Sequence, residues 1–223
     1  MKASEISGYI FDLDGVIVDT AKYHFLSWRR LANELGFDFT EKQNEQLKGV
    51  SRIRSLEIIL QMGGIKANEK EKEALAGQKN HWYLEYIAAM NESEVLPGAG
   101  QFLAQLRSAG RKIALGSASK NARLILEKVN LMDQFDAVVD GNLVSEAKPN
   151  PEVFLKAAAL LGLEPADCIV FEDAQAGIEA ALRAGMFCIG IGSPDHLQQS
   201  HMVLPGLSGL DFEVLENRLL RRL

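Results

Sequence analysis

The apolar positions change rhythm three times along the chain. Gly8–Leu13 (Gly-Tyr-Ile-Phe-Asp-Leu) is short and apolar and runs into Asp14-Gly15, the pattern of a buried strand ending in a turn. From Ala21 onward the spacing becomes helical. Ala21–Leu35 carries Phe25, Trp28, Leu31, Ala32 and Leu35 on one face, and Gly36 is a helix stop. Arg52–Met62 places Leu56, Ile59 and Leu60 together. Asn68–Ala89 is charged at its start and aromatic later, with Trp82, Tyr83 and Tyr86. No convincing strand interrupts this helical region.

Leu96-Pro97-Gly98 punctuates the chain, and strands and helices alternate after it. The spacing predicts helix Ala99–Ala109 ended by Gly110, strand Lys112–Gly116, helix Ser119–Val129 and strand Phe135–Val139. It then predicts helix Pro151–Leu161, strand Cys168–Phe171, helix Ala174–Ala184 and strand Phe187–Ile191. Val203-Leu204 is a short last strand, and Gly209–Leu220 a final helix. Such alternation is the signature of an open parallel α/β sheet with helices on both faces. The layout is therefore an α/β core domain, 1–20 and 95–223, interrupted after its first strand by a helical cap domain, 21–94. Parallel sheets bind ligands at the carboxyl ends of their strands, and the insert leaves from such an end. It is placed to act as a lid.

Composition agrees with a globular chain: 47% of the 223 residues are hydrophobic and 24% charged. A chain of this length buries about 70% of its unfolded surface, so no disulfide or structural metal is needed to hold it. Lys and Arg number 24 against 30 Asp and Glu, a net charge of −6 with no basic block, which argues against nucleic-acid and anionic-membrane partners. An acidic protein that takes an anionic substrate must concentrate its cations locally or recruit a metal. The two cysteines, Cys168 and Cys188, lie in apolar runs and form no Cys-x-x-Cys pair, so buried thiols are expected and a zinc site is not. Met1–Gly8 lacks the apolar stretch of a signal peptide, and no run reaches the ~18 apolar residues of a membrane span. A cytoplasmic protein is expected.

Chemistry-bearing residues fall at the strand ends. Asp12-Leu-Asp14-Gly15 closes the first strand. One carboxylate suits a nucleophile, and a second, held protonated, a general acid/base; a solvated turn is the plainer reading. Calcium-loop chemistry fails, because Val16-Ile17-Val18 follows instead of further acids. Gly116-Ser117-Ala118-Ser119-Lys120-Asn121 closes the next strand, with hydroxyls, a cation and an amide ahead of a helix. That is a phosphate cradle, compatible with Ser119 as an ordinary N-cap. Lys148 before Pro149 is either a solvated loop residue or a charge that neutralises phosphate and aspartate. Glu172-Asp173 closes the Cys168–Phe171 strand, as oxygen ligands suited to Mg²⁺ or with Asp173 as a helix N-cap. Each signal alone is ambiguous. In a parallel sheet all of them converge on one edge, and coincidence in this order is much less probable than any single plain reading.

These motifs resemble those of the haloacid dehalogenase superfamily of phosphotransferases. Phe11-Asp-Leu-Asp-Gly-Val16 looks like its nucleophile motif, Ser117 its second motif, Lys148-Pro149 its third and Glu172-Asp173 its fourth. Asp19-Thr20 with Tyr23-His24-Phe25 and Trp28, Leu47-Lys-Gly-Val-Ser-Arg52, Lys79-Asn80, Ser117–Asn121 and Glu172-Asp-Ala-Gln-Ala-Gly177 are similar to its hexose-phosphate mutase branch. The resemblance covers nearly the whole chain. It implies a Rossmann-like parallel sheet core with an inserted α-helical cap.

It further implies that Asp12 becomes an aspartyl phosphate and that Asp14 is the general acid/base. Mg²⁺ is placed between Asp12, the Asp14 backbone carbonyl, Glu172 and Asp173. Ser117 and Lys148 hold the transferring phosphoryl group. Arg52, Ser119, Lys120 and Asn121 hold the other phosphate. His24 and Lys79 position Asp14 on closure, and Thr20, Lys48, Gly49 and Ala118 complete the substrate-binding set. The implied reaction takes β-glucose 1-phosphate to glucose 6-phosphate, primed by glucose 1,6-bisphosphate. A sugar-phosphate phosphatase with the same Asp12 and Asp14 is the alternative. A monomer is expected, because the lid must swing. The sequence departs from the branch at Ile53-Arg54, where an acidic pair is usual, placing an apolar group and an extra cation beside the second phosphate site.

Overall fold

The computed structural model describes residues 6–47 and 50–220. Strand β1, Gly8–Phe11, is followed by α1 (Ala21–Glu34), α2 (Glu41–Asn44), α3 (Arg52–Met62) and α4 (Glu69–Ala88). Then come α5 (Ala99–Ser108), β2 (Lys112–Gly116), α6 (Ala122–Lys128), β3 (Ala137–Val139) and α7 (Glu152–Leu161). The chain continues through β4 (Cys168–Glu172), α8 (Gln175–Arg183), β5 (Phe187–Ile191), β6 (Met202–Leu204) and α9 (Phe212–Leu220).

The six strands form one sheet in the order β3-β2-β1-β4-β5-β6, every pair parallel. β1 lies between β2 and β4, with Ile10 paired to Ala114 on one side and Val170 on the other. All four β1 residues are buried. Alternate side chains enter different cores: Tyr9 and Phe11 join the layer with α5, α6 and α9, while Ile10 joins the layer with α7 and α8. Phe11 and Phe171 stack across the β1–β4 pair at 4.6 Å.

The insert has a core of its own. Trp28, Leu31, Phe39, Leu56, Ile59, Leu60 and Trp82 from α1, α3, α4 and the loops between them pack together. Helix starts here are set by side-chain caps: Thr40 with Gln43, and Asn68 with Glu71, form reciprocal capping boxes, and Ser51 accepts from Arg54 N. The chain leaves and re-enters the sheet layer at adjacent points. Val18 and Val95 form an antiparallel bridge, Leu96 N donates to Ile17 O at 2.9 Å, and Asp19 N donates to Glu94 O at 3.2 Å.

Several boundaries move from their sequence-based positions. β1 ends at Phe11, because Ile17 N and Val18 N both turn back onto Leu13 O. α6 begins at Ala122, not Ser119, which leaves Ser117–Asn121 as a loop. The N-cap of α6 is therefore Asn121, and that of α8 is Ala174; neither Ser119 nor Asp173 fills that place.

Candidate active site

The carboxyl ends of β1, β2 and β4, together with the β3–α7 segment, bring the motif residues to one edge. Asp12 continues the β1 ladder, its N donating to Phe171 O at 2.9 Å, so backbone pairing fixes where its carboxylate stands. Lys148 Nζ donates to Asp12 Oδ1 at 2.6 Å and to Glu172 Oε2 at 2.8 Å. All three residues are buried. The peptide between Lys148 and Pro149 is cis. Burial pulls the Lys148 ammonium down, but Asp12 and Glu172 outweigh this and hold it above its usual value. Burial raises the Glu172 carboxyl, and Lys148 offsets part of that rise. The remaining Glu172 oxygen, Oε1, accepts from Ala174 N at 3.1 Å.

Oxygens of Asp12, Glu172 and Asp173 lie within 4.8 Å of one another. Two glycines make the group possible. A Cβ on Gly15 would stand 2.1 Å from Asp173 Oδ2, and Gly15 also has a left-handed φ of 79°. A Cβ on Gly177 would likewise collide with the Glu172 carboxyl group. The three carboxyl groups, two of them buried and Asp173 half-buried, make an all-oxygen cradle beside the Lys148 ammonium. These donors fit a hard divalent cation such as Mg²⁺.

Asp14 turns away from that group. Its Oδ1 accepts a hydrogen bond from Thr20 Oγ1. Burial, then repulsion from Asp12, pushes its carboxyl up to about 7, against the pull of Lys148 and Lys79. The two aspartates of the first motif thus occupy different electrostatic environments, one paired with a lysine and the other holding its proton toward neutrality.

The insert supplies a second set. Lys79 Nζ lies 2.8 Å from His24 Nδ1, between the rings of Trp28 and Tyr83 at 4.6 Å each. Lys79 is 1% exposed. The His24 ring stacks on Tyr83 at 4.2 Å. Burial lowers both His24 and Lys79 well below their ordinary values, and each also feels Arg52. Lys79 therefore packs against His24 directly, with Asp14 as a longer-range partner.

On the β2 side, the buried Ser117 Oγ accepts from Ser119 N at 3.1 Å, and Ser119 Oγ accepts from Asn121 N at 3.3 Å. These turns lift Ser119, Lys120 and Asn121 out of helical geometry. Lys120 is exposed and Ala118 half-buried. Asn121 Nδ2 donates to Asn80 Oδ1 of α4 at 3.2 Å, joining the insert to this loop. Arg52 is half-buried at the start of α3. Lys48 and Gly49 lie outside the described residues. Of the Ile53-Arg54 pair, both residues are exposed, and Arg54 bonds Glu57 within α3 at 3.2 Å.

Reasoning on sequence missed Tyr83 and Asn80 as site neighbours, and the steric role of Gly15 and Gly177. Tyr83 is one helical turn after Lys79, a spacing that puts both on one face of α4. Asn80 stands in the Lys79-Asn80 motif, but its bond to Asn121 depends on how α4 meets the β2 loop.

A family model for haloacid dehalogenase-like hydrolases matches residues 6–185. A β-phosphoglucomutase of Bacillus subtilis is 44% identical over 208 residues, 92% of this chain and 92% of that protein. A fructose-1-phosphate phosphatase of Escherichia coli is 32% identical over 187 residues, 83% of this chain and 96% of that protein. The crystal structure of a β-phosphoglucomutase from Clostridium difficile superposes with a TM-score of 0.92 at 41% identity, covering 97% of this chain and 100% of the other.

Proposed function

The chain belongs to the haloacid dehalogenase-like hydrolase family, and on that premise we propose that it interconverts β-glucose 1-phosphate and glucose 6-phosphate. One observation carries the mechanism: two aspartates two residues apart have different partners. Asp12 is paired with Lys148, and Asp14 is pushed up to about 7.

Asp12 is the nucleophile. In the phosphorylated enzyme, an Asp12 carboxylate oxygen carries the phosphoryl group. The 6-hydroxyl of β-glucose 1-phosphate attacks that phosphorus, the bond to Asp12 breaks, and the hydroxyl proton passes to Asp14. This yields glucose 1,6-bisphosphate, which turns around in the site. Asp12 then attacks the phosphorus at position 1, and Asp14 returns its proton to the departing sugar oxygen, releasing glucose 6-phosphate. A carboxyl pushed to about 7 can serve in both directions near neutrality. Glucose 1,6-bisphosphate is also the priming donor that first phosphorylates Asp12.

Phosphoryl transfer needs positioning and charge neutralisation more than further covalent chemistry. Lys148 and Ser117 hold the transferring group. Asp12, Glu172, Asp173 and the Asp14 carbonyl would hold Mg²⁺, whose positive charge would help neutralise the carboxylate and phosphate. Arg52, Ser119, Lys120 and Asn121 hold the second phosphate, and Lys48, Gly49 and Ala118 belong to the substrate-binding set. Thr20, His24 and Lys79 place Asp14. Residues 21–94 form the cap domain on the core of 1–20 and 95–223, hinged at the Val18–Val95 bridge. Its closure excludes water from phosphorylated Asp12. No helix of the described residues is long and apolar enough to cross a membrane. A cytoplasmic monomer that takes small sugar phosphates completes the proposal.

The test follows one reaction two ways. Protein, Mg²⁺, β-glucose 1-phosphate and a trace of glucose 1,6-bisphosphate are assayed for glucose 6-phosphate and for free phosphate. Glucose 6-phosphate as the main product is the expected result. Free phosphate as the main product overturns it in favour of a sugar-phosphate phosphatase.

A further inference from the structure

The segment from the end of β3 to the start of α7, residues 140–152, touches both phosphate-handling groups at once. At its start, the buried Asp140 accepts from Asn142 N at 2.9 Å and pairs with Arg123 at 3.6 Å. This turn faces the Ser117–Asn121 loop. Gly141 N donates to Ser119 O at 3.1 Å, and Asn142 Nδ2 donates to Lys120 O at 2.9 Å. A Cβ on Gly141 would stand 2.3 Å from Ala118 O, so the two backbones are in direct contact.

At its other end the segment is gripped by Glu152 of α7. Glu152 Oε2 accepts from Ser145 N at 2.9 Å and from Glu146 N at 2.7 Å. Ser145 Oγ donates to the same carboxylate at 3.1 Å. Lys156 Nζ bonds Glu152 Oε1 at 2.6 Å and also the Leu143 carbonyl at 2.6 Å. These bonds, led by Lys156, hold the Glu152 carboxyl down to about 2, so it is ionised at any working pH. Only Ala147 separates Glu146 from Lys148.

Ser145 and Glu146 are exposed, so little apolar burial fixes the backbone on which Lys148 is carried. A carboxylate accepting two backbone N–H groups and a hydroxyl supplies what burial does not, because charge-assisted bonds are about twice as strong as neutral ones. We propose that Glu152 and Asn142 are positioning residues, each for a different pocket. Glu152 fixes the loop that aims Lys148 at Asp12 and Glu172. Asn142 fixes the Ser119–Lys120 backbone of the second phosphate pocket. The assignment of pockets rests on the proposed function.

The two roles separate in kinetics. Glu152→Gln keeps the side-chain shape but gives up a charged acceptor, and Lys148 loses its registration. A misplacement of about 1 Å costs up to ~100-fold in rate, so a kcat roughly tenfold lower with little change in KM is expected. Asn142→Ala removes one hydrogen bond from the other pocket. A KM for β-glucose 1-phosphate raised about fivefold, with kcat within about twofold, is expected. Both variants changing the same parameter, or a loss that only follows melting temperature, overturns the proposal.

Should Glu152→Gln not fold, Lys156→Met removes the partner of Glu152 and the bond to Leu143, and the same fall in kcat is expected. p-Nitrophenyl phosphate, which has no second phosphate, separates this from the sugar assignment. Its turnover falls with Glu152→Gln even if the sugar substrate is another one. Unchanged p-nitrophenyl phosphate turnover in that variant rejects the role of Glu152.

Discussion

Gly177 and Glu172 are so close that a Cβ on residue 177 would stand 2.0 Å from the Glu172 carboxyl carbon and 2.1 Å from Oε2. The same Oε2 accepts from Lys148, so a helix backbone, a carboxylate and an ammonium form one packed stack beside Asp12. Gly177 lies in α8, where alanine would ordinarily gain about 1 kcal/mol over glycine from helix propensity. Its presence there is a steric requirement of the site.

Gly177→Ala is therefore expected to cut turnover and Mg²⁺ affinity by roughly 10–100-fold, the range found for groups that orient metal ligands. The gain in helix propensity offsets part of the overpacking cost. Isothermal titration with Mg²⁺ beside a melting curve checks this. Wild-type affinity in the variant would show that Glu172 tolerates displacement.

Mg²⁺ alone is expected to stabilise the protein without any substrate. At about 100 times its dissociation constant, a ligand specific to the folded state adds ~2.7 kcal/mol. Asp173→Asn removes one of the three carboxylates and should abolish most of this gain. Thermal melts with and without Mg²⁺ give the answer, and a wild type that does not respond would rule out the Asp12, Glu172 and Asp173 cradle as the metal site.

Lys79 sets a pH dependence in the free protein. Burial, and then Arg52, lowers its folded pKa well below 10.5. Between that lowered value and 10.5 the unfolded chain binds more protons, so stability rises with pH through this window and is lost as pH falls through the folded pKa. Lys79→Met removes the buried amine while keeping its volume among Trp28, His24 and Tyr83. The variant is expected to be more stable than wild type at pH 7 by roughly 1–4 kcal/mol, with the gap closing toward pH 10. Urea denaturation at both pH values measures the gap, and a variant less stable at pH 7 would mean that the Lys79–His24 contact outweighs desolvation.

The strand ends were legible because parallel topology does the assembling. Once β1, β2 and β4 are read from their apolar runs, Asp12, Ser117 and Glu172 must share an edge, and they stand there. Residues Ser119–Asn121 were misread as the first turn of α6, because a serine ahead of an apolar run is also a good N-cap. The Ser117 and Ser119 hydroxyls instead accept from backbone N–H groups two residues on, and that competition between local turns and helix is nearly balanced in sequence.

What the sequence alone determined is the order of elements and the chemical types at the sheet edge, because apolar periodicity and strand-end acids are local properties. The tertiary structure decided which of these groups meet. Lys148 could have faced either acid of the Glu172-Asp173 pair, and packing against β4 directs it to Glu172. Lys79 lies in a charged stretch of α4 that reads as solvated, and only the fit of α1 against α4 buries it on His24. Glycine was needed at 15 and 177 because the Asp173 and Glu172 carboxyl groups occupy the space a Cβ would fill. Each of these outcomes depends on the relative placement of separate elements, and no pattern within one element encodes it.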